Sequence, residues 1–231
     1  SLSMAVTPLL LTLNERIFRI GHTSDKARDF DDIEAHEHRV IIAGFGRFGQ
    51  MIARTLRMKK IPFTVLESSF EQVDFVRKFG NKIYFGDASR LDLLRAARAD
   101  LAEVFVLAID DMEASVRTAE MVKKHYPHLK IYARARNRVH AYRLMDVGVD
   151  KQIRETLLSS IELARDVLMA LGHTQAAAND AIRRFRQHDE ALLERQHKIQ
   201  DDEAQLIASA REGAEELERL FAEDTSRTDR T

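Results

Sequence analysis

"HRVIIAGFGRFGQMIARTLRMKK", residues 38 to 60, passes from a short apolar run through three glycines into an amphipathic pattern. Gly44, Gly46 and Gly49 have the spacing G-x-G-x-x-G. Between a strand and a helix that spacing is mechanical. The first glycine makes the tight turn out of the strand, the second lets a phosphate approach the backbone, and the third lets the helix pack close to the strand. The helix start then offers free N–H groups and a partial positive charge to an anion. Arg47 and Phe48 follow in the loop. Arg47 is either a phosphate contact or a solvated loop residue. The glycines alone also fit a domain that keeps them only for packing.

Glu67 favours the nucleotide reading. It ends the next apolar run, roughly 20 residues on, where a carboxylate accepts the ribose hydroxyls. A carboxylate there repels a 2′-phosphate, so AMP or NAD(H) is expected rather than NADP. Asp87 in "YFGDASRLDLL" ends the third run and either borders the same crevice or caps the next helix. Ser68, Ala88 and Ile109, at the ends of their runs, complete the expected crevice lining. Asp110 and Asp111 in "LAIDDMEAS" read as an N-cap and first-turn pair rather than an acid/base couple.

Further along, β-branched runs alternate with amphipathic stretches. The spacing predicts strands at Arg39–Ala43, Phe63–Glu67, Lys82–Phe85, Val104–Ala108, Lys130–Ala135 and Val149–Ile153. Helices are predicted near 48–59, 69–79, 89–97, 111–125 and 138–147. Near-continuous apolar strands alternating with helices imply a six-stranded, doubly wound parallel α/β sheet of Rossmann type, residues 38–153. Little chain is left for a separate substrate domain. Residues 154–222 carry no strand signal and read as a helical extension: an amphipathic helix with a stop at Gly172, then a charged helix from about Asn179 to Phe221. Phe185, Leu192, Ile199 and Leu206 fall seven apart, but Asp189, Gln196 and Glu203 interrupt the seam. That makes a poor two-stranded zipper, and a long helix packed on its own domain or on a second subunit is the simpler reading. Residues 223–231 read as a disordered tail.

With 231 residues, a net charge of −1 and no cysteine, nothing global points to nucleic acid and no disulfide framework exists. Residues 1–13 are apolar from Met4 to Leu13 but shorter than the roughly 20 residues that span a bilayer. They form either an amphipathic helix or the end of a transmembrane one. Residues 14–37 are a polar linker. The nine histidines include no pair at metal-ligand spacing, and there is no nucleophile elbow or P-loop lysine. A dehydrogenase needs a proton donor beside the hydride acceptor. The nucleotide is therefore expected to be a regulatory or structural ligand. An NAD-dependent oxidoreductase with its substrate between subunits is the alternative.

"HRVIIAGFGRFGQ", "RKFG", "YFGDASRLDLL", "LAIDD", "HYPHLKIYARAR" and "RETLLSSIELAR" together resemble the KTN/RCK regulatory domain of the Kef glutathione-gated potassium efflux systems, over roughly residues 38–186. "SLSMAVTPLL" resembles the end of the last transmembrane helix of those cation–proton antiporters. The resemblance implies a homodimer at the cytoplasmic face of the bacterial inner membrane, joined to its own antiporter domain, with no catalytic residue. It implies an adenine nucleotide in the crevice and glutathione near the dimer interface. Glutathione would hold the pore closed and its S-conjugates would open it. Arg54 and Arg154 would hold glutathione, and Phe79 would be displaced by a bulky sulfur substituent. Where relatives carry a contacting asparagine the matching places Arg186. Some relatives also have a flavoprotein quinone-reductase subunit. Arginine's planar fork suits the two glutathione carboxylates.

Overall fold

The computed structural model describes residues 39–69, 73 and 84–228. The expectations for residues 1–13 and 14–37, for most of the 69–79 helix and for Phe79 fall outside these.

The run Val40–Ala43 forms β1, and all four residues are buried. It lies between β2 (Phe63–Glu67) and β4 (Val104–Leu107), with Val40 opposite both Phe63 and Val104. A strand shielded on both edges and both faces must be apolar throughout, which is why "VIIA" shows no alternation. β3 (Tyr84–Phe85) pairs with Leu66 and Glu67, β5 is Lys130–Ala135 and β6 is Lys151–Arg154. The sheet order is β3-β2-β1-β4-β5-β6, with every neighbouring pair parallel. This is the order of a Rossmann-type fold, in which the chain reverses direction across the sheet between β1 and β4.

Helices α1 (Arg47–Met58), α2 (Leu91–Ala96), α3 (Met112–His125) and α4 (Arg138–Val147) connect the strands. β6 starts two residues later than the apolar pattern suggests. Gly148 caps α4 with φ +78°, and the Val149 N–H bonds back to Leu144 O at 3.2 Å. Val149 therefore belongs to the helix cap, and Arg154 becomes the last residue of β6.

The extension comprises α5 (Leu157–Ala170), α6 (Gln175–His197) and α7 (Glu203–Thr228). The expected single helix over 179–221 is two, broken by a turn at 198–202. The break has a local cause. Asp202 Oδ1 accepts from the Gln205 backbone N–H at 3.0 Å, and the Gln205 side chain donates to Oδ2 at 2.8 Å. Asp202 thereby caps a new helix, accepting both bonds from Gln205. The hairpin closes through Glu216, which accepts from Arg195 at 2.7 Å and meets His188 Nε2 at 3.2 Å. Leu192 fills the space over Gly213, where an added Cβ would stand 2.8 Å from its Cδ2. α7 continues to Thr228, beyond residue 222 where the helical extension was expected to end.

Candidate functional site

A crevice of about 270 Å³ opens where β1, β2 and β4 end. Open α/β sheets bind ligands at this reversal point. Gly44, Gly46, Glu67, Ser68, Asp87, Ala88 and Ile109 line it, whereas Arg47, Phe48 and Gly49 do not. Arg47 is the first residue of α1, exposed and without an ion pair among the described residues.

Each glycine has its own reason. Gly44 has φ +91°, and a Cβ there would lie 2.8 Å from the Ala108 backbone. A Cβ on Gly49 would stand 2.2 Å from Gly44 O, so α1 sits as close to β1 as a backbone allows. A Cβ on Gly46 would meet nothing within 4 Å. Its absence leaves room at the start of α1, where Gly46 is the N-cap and no side chain caps the free N–H groups. Open space, free donors and the helix dipole suit a phosphate.

Glu67 is buried, and its carboxylate is held from two sides. Phe45 N–H donates to Oε2 at 2.6 Å and Ser69 N–H to Oε1 at 2.7 Å. Lone pairs remain for ribose hydroxyls on the crevice side. Asp87 Oδ1 accepts from Ser89 N–H at 2.8 Å, which closes a turn. It does not cap the following helix, whose N-cap is Arg90. Asp111 is the N-cap of α3, accepting from Ala114 N–H at 2.7 Å. Asp110 is no first-turn residue, because it precedes the cap and pairs with Arg134. The crevice lining contains no histidine, lysine or tyrosine among the described residues. The arrangement has the open space, free N–H donors and carboxylate that a ribose phosphate needs.

The buried Arg134 and the half-buried Arg154 extend the site toward the helical extension. Arg134, at 5% exposure, donates to Glu155 Oε2 at 2.5 and 3.0 Å and pairs with Asp110. Its guanidinium lies 5.9 Å from the centre of the Phe48 ring. Phe48 thus backs the arginine and packs on the core behind β1. Arg154 is engaged by Asp189 of α6, and the same carboxylate pairs with Arg138 at the start of α4.

Among the described residues expected to hold glutathione, only Arg154 lies in this cluster. Arg54 is exposed on α1 and makes no hydrogen bond or ion pair among the described residues. Arg186 points to solvent and pairs with Glu190 one turn on at 2.8 Å. The residue of α6 that reaches Arg154 is Asp189. Sequence reasoning missed Asp189, Arg138 and Arg134. The signal for Asp189 was its place, with Gln196 and Glu203, among the polar breaks in the seven-residue seam, and that for Arg134 was a charge inside strand "KIYARA".

The TrkA-N domain family matches residues 40–155, and the potassium efflux system KefB C-terminal domain matches residues 159–231. The chain is 38% identical over 224 residues to the glutathione-regulated potassium-efflux system protein KefC of Escherichia coli, covering 97% of this chain and 36% of that protein. It thus spans little more than a third of the length of such relatives. A solved structure of the Shewanella denitrificans Kef CTD in AMP-bound form is 41% identical, covering 69% of this chain and 98% of that one, with a TM-score of 0.64. The TrkA-N domain of the inner membrane protein ybaL from Escherichia coli is 22% identical with a TM-score of 0.51, covering 60% of this chain and 99% of that one, and shares the fold. The two family matches meet at the boundary between the sheet domain and the helical extension, and the chain belongs to the TrkA-N domain family as a Kef-type C-terminal domain.

Proposed function

We propose that the chain is the cytosolic ligand-sensing domain of a Kef-type potassium efflux protein and that it is not an enzyme. It holds AMP, or NAD(H), in the crevice as a bound regulator. Glutathione at Arg154 and Arg54 holds the attached antiporter closed, and glutathione S-conjugates open it by displacing Phe79. The observation that carries the nucleotide reading is the buried Glu67 carboxylate facing a crevice that also opens on the uncapped start of α1. The AMP named for the similar Shewanella domain agrees with it.

The domain works as a homodimer on the cytoplasmic side of the inner membrane. α5 supports this. Leu163, Val167 and Leu171 recur every fourth residue along one side of it, 65%, 50% and 75% exposed. An apolar stripe of that kind is a protein-contact surface. A flavoprotein quinone-reductase subunit is a further partner in this reading. The test is calorimetric titration with AMP, NADH and NADP, followed by chemical analysis of the recovered nucleotide. Binding of AMP or NADH without turnover and with NADP excluded is expected. Tight NADP binding or conversion of NADH contradicts the reading.

A further inference from the structure

We propose that Asp189 is an internal competitor for the anion site at Arg154. Its carboxylate holds α6 on the nucleotide-binding body until a ligand carboxylate takes its place. The inference rests on the glutathione reading above and adds how binding there is transmitted.

The terminal edge of the Arg154 guanidinium already carries a carboxylate. Asp189 spans the fork of Arg154, with Oδ2 on Nη2 and Oδ1 3.3 Å from Nη1. Oδ1 also pairs with Nη2 of Arg138. The Asp189 and Arg154 side chains are only 9% and 10% exposed, so neither is a solvated surface ion. Arg154 ends β6, Arg138 starts α4 and Asp189 lies in the middle of α6, so one side chain ties the extension to two elements of the sheet domain. A second carboxylate cannot take the same bidentate edge while the first is there.

The rest of the α6 attachment is also polar. Gln196 Oε1 accepts from Arg138 at 2.9 Å and from the Tyr142 hydroxyl at 3.1 Å. His197 and Gln200 bond to Asp146 at 2.7 and 2.9 Å. The buried residues of α6 are Ala178, Asp189, Leu193 and Gln196, so half of them are polar. A helix held in part by an ion pair can be loosened by a competing anion, whereas one held by apolar burial alone cannot. Ligand binding and α6 docking are then reciprocally linked, each weakening the other. α7 folds back on α6 and is released with it.

Glutathione titrated into the wild-type full chain and into Asp189→Asn, with amide exchange followed along α6, tests this. The neutral variant loses the competitor and should bind glutathione at least about fivefold more tightly. Glutathione should also speed α6 exchange in the wild type, a readout that stands even if the variant folds poorly. Glutathione binding that is equal or weaker in a folded Asp189→Asn, or α6 exchange unmoved by bound glutathione, overturns the competitor while leaving the glutathione reading intact. Failure of both proteins to bind glutathione overturns the two together.

Discussion

The Phe45 N–H donates to Glu67 Oε2 at 2.6 Å, so the carboxylate expected to meet a ribose also fastens the glycine loop to the end of β2. Its other oxygen holds Ser69 N–H at 2.7 Å. Replacing Glu67 with alanine should weaken AMP binding by about 1–3 kcal/mol, the range for a lost hydrogen bond to a charged group and an unsatisfied buried donor. Calorimetric titration reads this directly. Unchanged affinity would remove Glu67 from the site.

The second and third glycines separate packing from binding. In Gly49→Ala the new methyl group meets the Gly44 carbonyl, whose backbone cannot easily move away. A loss of stability of about 1–3 kcal/mol is expected in urea melts. Gly46→Ala fills open space at φ −64° and should melt like the wild type. It should nevertheless lose AMP affinity, because the methyl group stands where a phosphate would come. Equal stability of the two variants would contradict this division.

Much of the nucleotide half was legible in the sequence because its constraints are local. Gly44, Gly49 and Glu67 each answer to a backbone or a carboxylate requirement that a few neighbouring residues reveal. The extension was harder. Asp189 and Gln196 looked like defects in a coiled-coil seam, yet they are the buried residues that dock α6 on Arg138. Their partners lie 35 to 58 positions away in the chain, beyond the reach of any periodicity. The break at 198–202 was hidden because its Asp202–Gln205 cap sits among good helix formers.

Acid should open the α6–α7 hairpin. Hydrogen bonds from Arg195 and then His188 hold the Glu216 carboxyl down at about 2, against an ordinary value of 4.5. A depressed carboxyl pKa gives a contribution present above the unfolded value and lost as pH falls through the folded one. The contact should therefore weaken between about 4.5 and about 2, and not above that window. Glu216→Gln should remove this phase from the NMR titration of α7 amides. A transition centred near neutrality would contradict the assignment.

Arg134 is the buried cation between Asp110 and Glu155. Its replacement by methionine keeps the bulk against Phe48 but strands Glu155, which is mostly buried. A cost on the order of 3 kcal/mol is expected in denaturant melts. The double replacement Arg134→Met with Glu155→Gln should recover much of it. No recovery would mean that packing, and not charge, dominates this position.

The apolar stripe of α5 should be covered in a dimer. Sedimentation of the wild type is expected to give a dimer, and Leu163→Glu with Val167→Glu a folded monomer. A wild-type monomer at all practical concentrations would remove the dimer from the account.

The central claim is that one chain holds an adenine nucleotide and glutathione at separate sites and converts neither. Titrating glutathione into AMP-saturated protein by calorimetry, then analysing both ligands after recovery, tests it most directly. The account predicts that glutathione binds with AMP still in place, that Arg154→Gln reduces glutathione binding without moving AMP affinity, and that both ligands are recovered unchanged. Displacement of AMP by glutathione, or recovery of a reaction product, would contradict it.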